Sequence, residues 1–301
     1  MSHSESKSAV LLSLGANAAV AVSKFGAAGW TGSGSMLAEA IHSSADCLNQ
    51  IFLLVGMKRS DAPACKDHPL GHGKEIFFWS MLVAMLLFFV GGVYSIMEGT
   101  HRVLHPEPIE HAGIAVGILF FAVVLEWKSL AAALQALKSE RGSDTLMQWV
   151  RKTKNTDLLI VTGENTAALA GLAIALVAIG ASLITGNPVY DAIGSIAVGL
   201  LLVGVAFVLT KEIHSLLIGE HAGDEYDSTV RKVCAENGFN VLNIISIANG
   251  NKVMLAVKAV PVNTSGMSAD DLINLVNQTE AAIKKVLPKT GWIFFEPDHV
   301  V

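Results

Sequence analysis

Six stretches of the chain are almost continuously apolar, at about residues 9–30, 36–57, 76–97, 112–137, 158–184 and 189–210. A lipid core about 30 Å thick takes roughly 20 residues of helix. Ile76 to Met97 is the plainest case, twenty-two residues without one charge. The pattern predicts six membrane helices, the fourth of them interrupted by Glu126 and Lys128. The first run does not read as a cleaved signal peptide, because Asn17 and Lys24 break it and a second apolar run follows directly.

Beyond Leu217 the patterning becomes that of a soluble domain. Asp224 to Glu236 reads as a short helix ended by Asn237-Gly238, and Val241 to Ala248 as a strand. Asn249-Gly250 is a hairpin turn signal, since both residues tolerate positive φ. Lys252 to Val260 alternates so that Val253, Leu255, Val257 and Ala259 share one face. Ser268 is placed to cap a helix from Ala269 to Leu287, with Asp270 and Asp271 in its first turn, where the helix dipole favours anions. Pro288 stops that helix, and Trp292 to Phe295 supplies a last strand. The expected architecture is an all-α six-helix transmembrane domain over residues 1–217. It is followed by an α+β domain over residues 218–301, αββαβ and ferredoxin-like, small enough that dimerisation would stabilise it.

Composition agrees with this division. Only 16% of the 301 residues are charged and 52% are hydrophobic, against about a quarter charged in soluble domains. A net charge of -5 argues against a general nucleic-acid binder, and three cysteines without a CxxC pair argue against a disulfide scaffold. Basic residues set the orientation. Lys58, Arg59, Lys66 and Lys74 lie in one loop, and Lys138, Arg141, Arg151, Lys152 and Lys154 in another, whereas the opposite loops contribute only Arg102. Both termini are therefore expected in the cytoplasm, and a compact chain without targeting signals suggests a bacterial inner membrane.

Ionisable groups inside membrane helices are costly and mark function by default. His42 and Asp46 stand at i and i+4 in the second run, one turn apart on one face, with Glu39 on the same side. Imidazole with carboxylate suits Zn²⁺ and other first-row divalent ions, although a histidine hydrogen-bonded to an aspartate within a helix bundle is the structural alternative. The fifth run adds Glu164 and Asn165 near its cytoplasmic start. Asn165 alone reads as an interhelical hydrogen-bonding residue, while an intramembrane carboxylate such as Glu164 has no cheap structural explanation. The loop after the second run, Asp67-His68-Pro69-Leu70-Gly71-His72-Gly73-Lys74, offers Asp67, His68 and His72 as a candidate cytoplasmic metal site, or is simply a glycine-rich turn with surface histidines. His101, His105 and His111 lie on the opposite side with Glu98, Glu107 and Glu110, and read as solvated residues. Cys47, Cys65 and Cys234 share no ligand spacing and read as inert thiols.

The run Ser33-Gly34-Ser35-Met36-Leu37-Ala38-Glu39-Ala40, the His42-to-Asp46 spacing and His68-Pro-Leu-Gly-His72-Gly-Lys74 together resemble the cation diffusion facilitator family. With Asn49-Gln50, they are most similar to its zinc transporter 9-like branch. The resemblance covers essentially the whole chain. It implies a homodimeric antiporter that moves Zn²⁺ or a related ion (Fe²⁺, Co²⁺, Ni²⁺) out of the cytoplasm against protons, with no resident cofactor. It further implies an intramembrane site of two ligands from the second helix, His42 and Asp46, and two from the fifth. There Asn165 stands where many members carry Asp and Val161 where they carry His, which makes Glu164 the expected replacement ligand. Lys74 is expected to pair with Glu212 or Glu220 and to help hold the dimer. In the soluble domain, Ile245, Ala256 and Phe295 occupy expected ligand positions, leaving Glu296, Asp298 and His299 as a residual cluster. A membrane-embedded metalloenzyme is the competing class, but no HExxH occurs. A Mg²⁺ channel fits an imidazole-containing site poorly, and a metal sensor would need the soluble domain alone to respond.

Overall fold

The computed structural model describes residues 3–31, 34–106, 112–142, 145–153, 155–263 and 265–299. Helices cover all six apolar runs: α1 His3–Thr31, α2 Gly34–Ser60, α3 Glu75–Leu86 continuing through a π-helical turn Leu87–Val93 into α4 Tyr94–Leu104, α5 Ala112–Arg141, then α7 Thr156–Thr185 and α8 Val189–Ile218, with a short α6 Leu146–Lys152 before α7. Among the described residues, four spans are long and apolar enough to cross a membrane: Glu75–Leu104, Val116–Arg141, Thr156–Thr185 and Val189–Ile218. Val10–Gly26 in α1 is a shorter apolar helix. The chain divides into two compact units, residues 1–58 with 76–214, and residues 59–75 with 215–301.

In the first unit α5 packs on α7 and α1. The buried face of α5 recurs at helical spacing through Ala122, Glu126, Ser129, Leu130, Ala133 and Leu137, while Trp127 and Lys128 point outward. Glu126 and Lys128 are thus on opposite faces, and the acid is the inward one. The helix carrying α3 and α4 meets α8 through glycine. A Cβ on Gly92 would stand 2.6 Å from Val203 Cγ2, and one on Gly199 would stand 2.8 Å from the Gly92 carbonyl. Small residues that let backbones approach are the usual means of joining helices in lipid, where no hydrophobic gain accompanies association. Arg102 on α4 reaches Asp191 on α8 at 3.8 Å. Asn155 caps α7 by accepting from Leu158 N–H at 3.2 Å, and Glu140 at the end of α5 accepts from Asn155 Nδ2 at 3.0 Å.

The second unit follows the expected element order: α9 Asp224–Glu236, β1 Phe239–Asn249, β2 Lys252–Pro261, α10 Ala269–Val286 and β3 Thr290–Pro297. β1 and β2 are antiparallel and β3 lies parallel to β2, in the order β1-β2-β3. The hairpin turn falls one residue later than expected. Asn249 is the last residue of β1, paired with Lys252, and Gly250 takes the positive φ of 63°. A register shift between Val241 and Asn243 switches the inward phase of β1 from Phe239 to Ile244, Ser246 and Ala248, as a bulge does when it re-aims a strand. Val253, Leu255, Val257 and Ala259 all point inward, as the alternation predicts. Leu255, Val257 and Ala259 form one core with Val230, Val233 and Cys234 of α9, Phe239, Ile244, and Ile283 of α10. The Ser268 hydroxyl accepts from Asp271 N–H at 3.1 Å, and Asp271 accepts from Ser268 N–H at 2.9 Å, a reciprocal capping box at the start of α10.

Candidate functional site

Two groups of polar residues carry chemistry, one in each unit. In the first unit α2 and α7 meet around Glu164, which is almost fully buried. Its carboxylate accepts from Gln50 Nε2 at 2.9 Å and Asn49 Nδ2 at 3.5 Å. Its neighbours on α2 lie one turn beyond Asp46, which is partly buried. His42 belongs to α2, but its side chain, like that of Glu39, lies outside the described set.

Asn165 is engaged differently from the ligand role implied by family resemblance. Its Nδ2 donates to Ser129 Oγ of α5 at 2.8 Å, and its Oδ1 accepts from Ser13 Oγ of α1 at 3.3 Å. The amide ties three helices together. Val161, 1% exposed, offers no donor atom. Lys24 of α1, 7% exposed, donates to Ser43 Oγ of α2 at 2.9 Å. The oxygens Asn49 Oδ1, Gln50 Oε1 and Glu126 Oε2 are buried without a hydrogen-bond donor. Asn49 and Gln50 were legible in the sequence only as markers of a family branch, yet they position the Glu164 carboxylate.

In the second unit the loop after α2 folds on itself through Cys65 N–H to His68 O at 3.1 Å and Gly71 N–H to His68 O at 2.9 Å. This brings Cys65 Sγ to 3.7 Å from His68 Nδ1 and 3.8 Å from His72 Nε2. Among the described residues, Cys65, His68 and His72 are the group of three or more potential metal ligands that converges, with all ligand atoms within 4.8 Å. Asp67, placed in this group by its position, is exposed and outside it; the loop turns so that the third donor is the residue three before His68. Cys65, read as inert, is therefore the residue the sequence reading missed. Its signal was the Cys-x2-His-x3-His spacing. The second nitrogen of His72, Nδ1, lies 3.8 Å from Glu75 Oε1.

The loop is fastened beside the β1–β2 turn. Asn249 Nδ2 donates to Leu70 O at 3.0 Å, and a Cβ on Gly73 would meet the Asn249 backbone. Lys74 donates to the carbonyl of Leu217 at 3.3 Å, a residue that lies in sequence between Glu212 and Glu220. At the end of β3, Glu296 and Asp298 stand 3.8 and 2.9 Å from Lys258 Nζ, so an ammonium already answers the acids of the expected terminal cluster. On the other side of the first unit, the His101 and His105 rings lie 5.0 Å apart and Glu98 pairs with Arg102, while Glu107, Glu110 and His111 lie outside the described residues.

The chain is 35% identical over 230 residues to metal tolerance protein C4 of Arabidopsis thaliana, covering 75% of this chain and 50% of that protein. It is 35% identical over 192 residues to the Xenopus laevis protein named proton-coupled zinc antiporter SLC30A9, mitochondrial, covering 63% of this chain and 34% of that one. The human protein of the same name is 34% identical over 191 residues. The chain thus spans from a third to half of the length of these relatives. Residues 10–218, which include the α2 and α7 residues around Glu164 and the whole Cys65-to-His72 loop, match the family described as the cation efflux transmembrane domain, and the chain belongs to that family.

Proposed function

We propose that this protein exports a divalent metal ion, Zn²⁺ foremost, from the cytoplasm in exchange for protons, by alternating access of an intramembrane site formed by His42, Asp46 and Glu164. The observation that carries the reading is the buried Glu164 carboxylate, held by amide donors of α2 between helices of a cation efflux domain. A carboxylate between membrane helices is costly to keep and marks an ion pathway by default. The names of the relatives, a metal tolerance protein and proton-coupled zinc antiporters, support the substrate class and the coupling. Family membership also removes the metalloenzyme alternative.

The finer architecture belongs to the same proposal: six membrane spans in residues 1–217, a ferredoxin-like cytoplasmic domain in residues 218–301, and both termini on the cytoplasmic side of a bacterial inner membrane. Cys65, His68 and His72 act as a cytoplasmic metal-acquisition site, because three protein ligands leave one position open for exchange. The protein works as a homodimer. The sheet row Ile245, Ala256 and Phe294 supports this, since Ile245 and Phe294 are half-exposed on the face away from the core, and Lys74 steadies the base of that domain.

Zinc uptake into proteoliposomes under an imposed pH gradient tests the transport reading, with Asp46→Ala as the inactive comparator and Fe²⁺, Co²⁺ and Ni²⁺ as rival substrates. Gradient-driven zinc movement that Asp46→Ala abolishes is expected. Equal uptake by both proteins would reject the site.

A further inference from the structure

The α5 residue Glu126 interrupts an otherwise apolar membrane run, and its placement gives that interruption a use. It lies on the buried stripe of α5, 9% exposed, and Oε2 has no hydrogen-bond donor. One turn further along the same stripe, Ser129 accepts from the side chain of Asn165, so this face of α5 looks at α7 beside Glu164. Asn49 and Gln50, the turn of α2 after Asp46, hold Glu164, and Lys24 of α1 meets the turn before Asp46 at Ser43. Among the described residues, the buried carboxylates Glu126 of α5 and Glu164 of α7 and the half-buried Asp46 of α2 thus lie where these helices meet, with the buried Lys24 ammonium of α1. With all four ionised, a lone divalent cation is the charge that balances them, and an unbalanced set is costly in a low-dielectric interior.

The donor set has the same shortage seen from the family side. Asn165 is committed to Ser13 and Ser129, and Val161 has no donor, so α7 offers Glu164 in place of two ligands. We propose that Glu126 of α5 is a further carboxylate ligand of the divalent ion bound between α2 and α7. The inference rests on the transport reading above and adds a helix to its site. One imidazole with three carboxylates is a harder donor set than one rich in imidazole, and it admits first-row ions such as Mn²⁺ and Fe²⁺ beside Zn²⁺ more readily.

The test uses the full chain with the loop ligands replaced (C65A/H68A/H72A), so that bound metal reports the membrane site. Zinc binding is measured by titration calorimetry in detergent, and the KM for zinc in proteoliposomes. Glu126→Gln is expected to weaken zinc binding at least tenfold and to raise KM, while Glu126→Asp retains binding with an altered zinc-to-manganese preference. If Glu126 merely neutralises Lys24, the double variant K24M/E126Q recovers the binding and KM of its parent, and that recovery would overturn the proposal, as would wild-type affinity in Glu126→Gln. The double variant also covers the case in which the single change fails to fold by leaving Lys24 unpaired. Absence of zinc transport by the unaltered protein would instead reject the transport reading, an outcome separate from any effect of Glu126.

Discussion

Replacing Cys65 with Ala isolates the chemistry of the loop after α2. A tetrahedral zinc with Zn–S of about 2.3 Å and Zn–N of about 2.05 Å requires sulfur-to-nitrogen edges of about 3.6 Å. The Cys65 sulfur stands 3.7 and 3.8 Å from its two histidine nitrogens, so these two sulfur-to-nitrogen edges already stand within a few tenths of an ångström of that geometry. Loss of an outer partner such as the carboxylate behind a histidine ordinarily costs 10–100-fold in metal affinity. Loss of a thiolate that touches the metal should reach at least the upper end, about 100-fold or about 2.7 kcal/mol. Cobalt-substituted protein provides the assay, because a sulfur ligand adds a thiolate-to-cobalt charge-transfer band that imidazole and carboxylate do not produce. The band should vanish in Cys65→Ala and persist in Cys47→Ala, and zinc competition should report the affinity change. An unchanged band and affinity in Cys65→Ala would refute the assignment.

Glu164→Gln keeps the size of the side chain but removes its charge, and zinc uptake in proteoliposomes should fall to background while the protein remains folded by size-exclusion chromatography. Leu255→Ala empties the centre of the core of the second unit, where Leu255 is fully buried. It should destabilise that unit by about 2–5 kcal/mol, seen as faster hydrogen exchange in β1 and β2 of the full chain; undiminished protection would contradict the packing described. Burial pushes the Cys234 thiol up to about 11, so a maleimide at neutral pH should label Cys65 and spare Cys234. Hydrogen bonds from the Ser268 hydroxyl and backbone N–H hold the Asp271 carboxyl below the usual carboxylate range. A group depressed on folding stabilises the fold above its unfolded value and loses that effect as pH falls through the depressed one. The first turn of α10 should therefore loosen in acid, and Asp271→Asn should show the loosened exchange already at neutral pH.

The second unit was largely legible because its signals are local. The α9 limits, the inward face of β2 and the Ser268 cap depend on alternation and on residues three apart. The Leu242 register shift escaped because a bulge is fixed by cross-strand pairing, which alternation along one strand does not reveal. His42, Asp46 and Glu164 stood out as charges in apolar runs. Glu126 stood out equally but read as a defect of the fourth run, since facing inward or outward depends on which helices pack there. Cys65 was hidden by a spacing that acquires meaning only when two backbone hydrogen bonds fold the loop.

The contact between Gly92 and Gly199 has a mechanical consequence. Side chains that interdigitate can slide past one another by changing rotamer, but two backbones in van der Waals contact have no such compliance. The α3–α4 helix and α8 should therefore travel as one strut through the proposed transport cycle. The opening and closing of the pathway then falls to the contacts that α1 and α5 make with α7, where serine and asparagine hydroxyls and amides, which can exchange partners, hold the helices instead.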